Sequence, residues 1–88
     1  MVQVTRLDNR TFEVRVDGSP PTTHTVHLSP EYQRKLTGGR VSEETLITRS
    51  FEFLLERESN TSILRDFDLR VIGRYFPEYE NEILVRLG

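Results

Sequence analysis

Two histidines stand three residues apart in Thr23-His24-Thr25-Val26-His27. Imidazole is a common zinc ligand, so the pair raises the question of a metal site. The run is rich in β-branched residues and reads as a strand. On a strand, positions 24 and 27 have opposite parity, so the two rings face opposite sides. A shared metal is not expected. The expected outcome is one partly buried histidine and one surface histidine. The chain has no cysteine, which removes thiolate metal sites, disulfides and the thiol nucleophile. Ser42 reads as a helix cap and Ser50 as part of a helix face, and neither has an evident base. Glu44, Glu52 and Glu56, interleaved with Arg49 and Arg57, read as a solvated helix face. No catalytic residue, cofactor or metal is expected.

A glycine pair before a capped helix can cradle an anion, and Thr37-Gly38-Gly39-Arg40-Val41-Ser42 has that form with Arg40 as a clamp. The lysine and glycine spacing of a P-loop are missing. Glu43 and Glu44 oppose an anion there. A helix stop followed by a helix start accounts for the same residues.

The least ordinary segment is Arg70-Val71-Ile72-Gly73-Arg74-Tyr75-Phe76-Pro77-Glu78-Tyr79. It holds aromatics, arginines and a proline, and Arg, Tyr and Phe are the types enriched in interface hot spots. Two readings stand side by side. The rings clamp a kinked helix onto the core, or they face a partner. As a partner surface the expected residues are Phe53, Arg70, Arg74, Tyr75, Phe76 and Tyr79.

The elements that must position these residues follow from hydrophobic period. Val2 and Val4 alternate with polar residues, as do Phe12, Val14 and Val16, and then Val26 and Leu28. Asp8-Asn9-Arg10 and Asp17-Gly18-Ser19-Pro20-Pro21 punctuate them. Ser29-Pro30-Glu31 opens a short helix with Tyr32 and Leu36 inward, and Thr37-Gly38-Gly39 ends it. Ser42 caps a longer helix carrying Leu46, Ile47, Phe51, Leu54 and Leu55, with Phe53 widening the stripe. So broad a stripe needs a second cover, from the C-terminal segment or another subunit. Thr61 or Ser62 starts a short turn with Ile63, Leu64 and Phe67. Asp68 is a candidate cap for a further helix, which Pro77 ends or kinks at Phe76. Helical spacing resumes through Tyr79, Ile83 and Leu87.

The expected fold is α+β: a three-stranded antiparallel meander over about residues 1–28, then three or four helices over about 30–87 packed on one face. All of it forms a single domain, residues 1–88. Acids number 14 against 12 Lys and Arg, a formal charge of −2. Charge therefore suggests no non-specific attraction to nucleic acid or anionic membrane. The first residues do not read as a signal peptide, and no apolar run is long enough to span a bilayer. A cytoplasmic protein is expected.

The strand–helix–helix order of residues 23–58 resembles the ribbon–helix–helix repressors and antitoxins. The resemblance rests on inward Val26 and Leu28, the Ser29-Pro30-Glu31 start, Leu36, the Ser42 cap, and Leu46-Ile47, Ser50 and Leu54-Leu55. It implies a dimer whose paired strands read DNA through Thr23, Thr25 and His27. That outward face has no Lys or Arg, Glu43 and Glu44 stand where such proteins seat a phosphate, and the first helix is short. A second resemblance lies in Leu-Thr-Gly-Gly (36–39), Ser-Phe-Glu-Phe-Leu-Leu-Glu-Arg-Glu (50–58), Ser-Ile-Leu-Arg-Asp-Phe-Asp-Leu (62–69) and Arg-Tyr-Phe-Pro-Glu-Tyr-Glu (74–80). These phrases resemble those of a group of short bacterial proteins with no assigned activity. That resemblance implies a cytoplasmic bacterial protein and carries over no catalytic residue. The leading expectation is a small non-enzymatic interaction module that binds a protein partner or itself as a homodimer. The alternative is the dimeric DNA-binding regulator.

Overall fold

A computed structural model describes residues 1–88. Three strands, β1 (Val2–Arg6), β2 (Thr11–Val16) and β3 (Thr22–His27), pair antiparallel in sequence order. Their alternation sends Phe12, Val14, Val16 and Val26 into the core and leaves Gln3, Thr5, Glu13, Arg15 and Thr23 in water. A fourth strand, β4 (Asp66–Asp68), lies parallel to β3, with Val26 opposite Phe67, and gives the order β1-β2-β3-β4. The sheet is therefore mixed, not the purely antiparallel meander that the strand pattern suggests. Three residues are too few to display a strand period, and parallel pairing is set by the chain between the partners.

Four α-helices follow the meander: α1 (Pro30–Thr37), α2 (Glu43–Leu55), α3 (Ile72–Tyr75) and α4 (Tyr79–Leu87). Ser29 Oγ accepts the Tyr32 amide and Ser42 Oγ accepts the Thr45 amide, each at 3.1 Å. Gly38 closes α1 at φ 68°, a left-handed conformation that side chains with a Cβ resist. The Asp68 side chain accepts the Arg70 amide, but it caps a 3-10 turn, Leu69–Val71, before the single turn of α3. The longer helix expected after Asp68 is thus shortened at its start by the tight turn. Phe76 takes an extended conformation ahead of Pro77, as the proline ring demands.

The sheet covers one side of α2 and α4 covers another. Phe51 meets His24 and Phe67 at ring centroids of 5.4 and 6.0 Å, while Phe53 meets Tyr79 edge-on at 5.4 Å. The C-terminal segment thus supplies the second cover that the broad stripe of α2 requires. Arg6 ties β1 to the start of α2 through Glu43 and Glu44, at 3.2 and 3.4 Å. No helix is long and apolar enough to cross a membrane.

Candidate protein-binding groove

Pro77 stops α3 just after Tyr75, and this fixes where the aromatic segment ends up. Tyr75 points to solvent with 66% of its surface exposed. Together with Leu54, Ile63, Leu64, Phe67, Ile72 and Phe76 it lines a groove of about 160 Å³. Eight of the ten lining residues are hydrophobic, and Glu58 and Ser62 supply the polar rim. Leu64 is 46% exposed whereas its neighbour Ile63 is buried at 4%, so Leu64 forms the groove's rim and Ile63 part of its floor. An apolar concavity with exposed apolar rims is a place where another apolar surface gains by docking.

The wall that carries Leu64 is held from below by a polar chain that runs from the buried His24 out to the surface. The Leu64 carbonyl can only accept, so His24 Nδ1 donates to it at 2.7 Å. His24 Nε2 is then the acceptor, and the Thr22 hydroxyl donates to it at 2.8 Å. Asn60 Nδ2 completes the chain by donating to Thr22 Oγ1 and to the Pro20 carbonyl, at 3.0 and 2.9 Å. Burial pushes the His24 pKa down and the charge of Arg65 adds to this, while the bond to the Leu64 carbonyl works against both. The ring is therefore a neutral strut between β3 and the groove. It is fully buried and His27 lies partly exposed on the other face, as strand parity requires.

The six expected surface residues divide. Tyr75 and Phe76 line the groove, and Arg74 stands exposed between Gly73 and Tyr75. Arg70 turns away to Asp68 at 3.5 Å and lies 5.6 Å over the Tyr32 ring. Tyr32 in turn donates to Glu80 at 2.7 Å, and burial raises its pKa. Phe53 and Tyr79 are core residues with no exposed surface, which corrects their placement on a partner face. Their rings are covered because α4 folds back on α2 and Arg57 lies over Phe53 at 3.6 Å. Sequence reasoning missed Leu64, Ile63 and Phe67 as groove residues. The signal available was the Ile63-Leu64 pair itself, two adjacent apolar residues in a segment with no helical or strand period to bury both.

Thr23, Thr25 and His27 do share the outer sheet face. However, β3 lies between β2 and β4, so its edges are already engaged within its own chain. Thr25 stands between Glu13 and Asp66, and His27 lies beside Asp68 and bonds to Asp66 at 2.7 Å. Carboxylates in that position oppose a phosphate backbone.

The glycine pair serves α1 and its turn: Gly38 N–H donates to the Arg34 carbonyl at 2.8 Å and Gly39 N–H to Thr37 Oγ1 at 3.1 Å. Arg40 Nε donates to the Thr37 carbonyl at 3.1 Å. Ser50 is buried and donates to the Leu46 carbonyl at 2.7 Å. No group of three or more His, Asp or Glu is arranged to hold a metal ion. Compared with known protein families, with curated proteins and with solved structures, the chain matches none.

Proposed function

We propose that this chain is a small non-enzymatic adaptor that receives an apolar segment of another protein in the Leu64–Tyr75 groove. The observation that carries the reading is the exposure of Leu64 and Tyr75 on the rim of a concave apolar surface. The charges beside it say what the segment looks like. Arg65 and Arg74 adjoin these two residues and neither has an ion pair, and Glu58 within the groove has none either. A segment with apolar anchors, acidic flanks for the arginines and one cation for Glu58 complements that pattern. The acidic balance, the lack of cysteine and the resemblance to short bacterial proteins support a bacterial cytoplasmic setting. Nucleic acid is the second reading and has the weaker physical support, given Glu13, Asp66 and Asp68 around the outward face of β3.

The test is a photo-crosslinking residue at Tyr75, with the same residue at Glu13 as the control. A protein captured at Tyr75 alone is then purified and titrated against the parent chain, Leu64→Asp and Tyr75→Ala. The reading expects each substitution to weaken binding roughly tenfold or more. Equal affinity for all three chains would sink it.

A further inference from the structure

The two edges of the sheet are unlike. β4 is only three residues long and carries Asp66 and Asp68 on its solvent face, the short charged form that blunts an edge. β1 is five residues long and is uncharged from Val2 to Thr5. Its pairing with β2 fixes which backbone groups are free. Asp17 N–H donates to the Met1 carbonyl and Leu7 N–H to the Thr11 carbonyl, so odd-numbered residues bond to β2. Val2, Val4 and Arg6 therefore point their N–H and C=O groups outward, and none of these finds a partner within the chain. The side chains of Val2 and Val4 sit half-covered at the margin of the core.

We infer that β1 is a homodimer interface, in which two copies pair antiparallel about a twofold axis at Val4 and join their sheets edge to edge. The occupant is a second copy because the strand is complementary to itself in this one register. Val4 meets Val4 of the partner copy, Val2 meets Arg6, and every outward backbone group gains a bond; a shift of two residues either way leaves some unpaired. No like charges oppose each other. Met1 and Leu7, two of the five exposed large hydrophobic residues, bracket the strand and stand opposite one another across the axis. The half-covered valines gain cover on the core side. A single strand pair is a small interface, so the dimer is reversible, with a dissociation constant on the order of micromolar.

Sedimentation velocity and light scattering on the full chain read the mass against concentration. The expected mass rises from 10.3 kDa toward a dimer. Gln3 and Thr5 lie on the polar outer face and meet across the axis, so charges placed there test the register without touching the core. Gln3→Lys with Thr5→Lys sets like charges opposite each other and weakens the dimer roughly tenfold. Gln3→Glu with Thr5→Lys sets opposite charges there, and also suits Arg15 and Glu13 within each chain, so it associates at least as tightly as the parent. Val4→Pro removes an outward N–H and leaves the β1–β2 bonds intact, giving a folded monomer by circular dichroism. A parent chain that stays monomeric up to about 1 mM overturns the interface, as does a dimer on which both charge pairs act alike.

Discussion

The hydroxyls of Ser50 and Tyr79 meet 2.6 Å apart with neither side chain exposed, and they tie α2 to α4. Ser50 spends its one proton on the Leu46 carbonyl, so Tyr79 is the donor. Ser50→Ala leaves the phenol without a partner in the core and costs about 1–3 kcal/mol. Tyr79→Phe removes the donor but leaves Ser50 satisfied by Leu46, and costs only about 1 kcal/mol. Urea unfolding of both variants and of the double mutant checks the order. A larger loss from Tyr79→Phe would reverse the donor assignment.

Tyr75 and Tyr79 are four residues apart and have opposite roles. Tyr75→Ala is expected to stay within about 0.5 kcal/mol of the parent, because the ring packs little. Tyr79→Ala and Phe53→Ala each cost about 3–5 kcal/mol, for the cavity left between α2 and α4. Thermal melts separate the two classes, and a large loss at Tyr75 would mean the ring is part of the core.

Lowering the pH is expected to destabilise the fold through His24. His24 is neutral when folded and its pKa lies below the ordinary 6.5 of the unfolded chain. The unfolded state therefore binds the extra proton first, and stability declines as pH falls from about 6.5, by at most about 1.4 kcal/mol per pH unit, until the folded-state pKa is passed. Protonation would also make Nε2 a donor and take from the Thr22 hydroxyl proton its acceptor. Urea unfolding from pH 8 to 5 measures the slope. His24→Gln should flatten it, and an unchanged slope would assign the proton elsewhere.

Ser42→Ala removes the only side-chain acceptor at the start of α2 and costs about 1 kcal/mol. Gly38→Ala forces a Cβ into the left-handed region at φ 68° and costs about 1–2 kcal/mol, although nothing lies within 4 Å of the added carbon. Chemical denaturation of the two variants measures backbone conformation and capping with little contribution from packing.

How much of this was legible in the residues depends on the range of the interaction. The alternation of Phe12, Val14 and Val16 gives β2 and its buried face directly, and Ser29, Gly38 and Ser42 mark helix ends by local hydrogen bonds and dihedral preference. Phe67 reads as a turn residue because its strand exists only by pairing with Val26, 41 positions earlier in the chain. For the same reason Phe53 and Tyr79 read equally well as surface or core. An aromatic residue carries no local mark of whether a distant helix will fold over it, and here α4 does. The groove is a product of these long-range contacts, so only its aromatic end, Tyr75 and Phe76, could be singled out beforehand.

β3 and β4 are neighbours in space yet are joined by all of α1 and α2, and this sets a timetable for the folding chain. The hairpins β1–β2 and β2–β3 close over short loops, whereas β4 must wait until the intervening helices have closed a far longer one. The last strand to pair is then expected to be the first to open. Its opening breaks the bond from Thr25 N–H to the Arg65 carbonyl and releases Leu64 from His24, while the meander stays shut. Native-state hydrogen exchange should find Thr25 less protected than the β1–β2 amides. An opening seen there would carry Leu64 away from His24 and widen the groove beyond its resting volume.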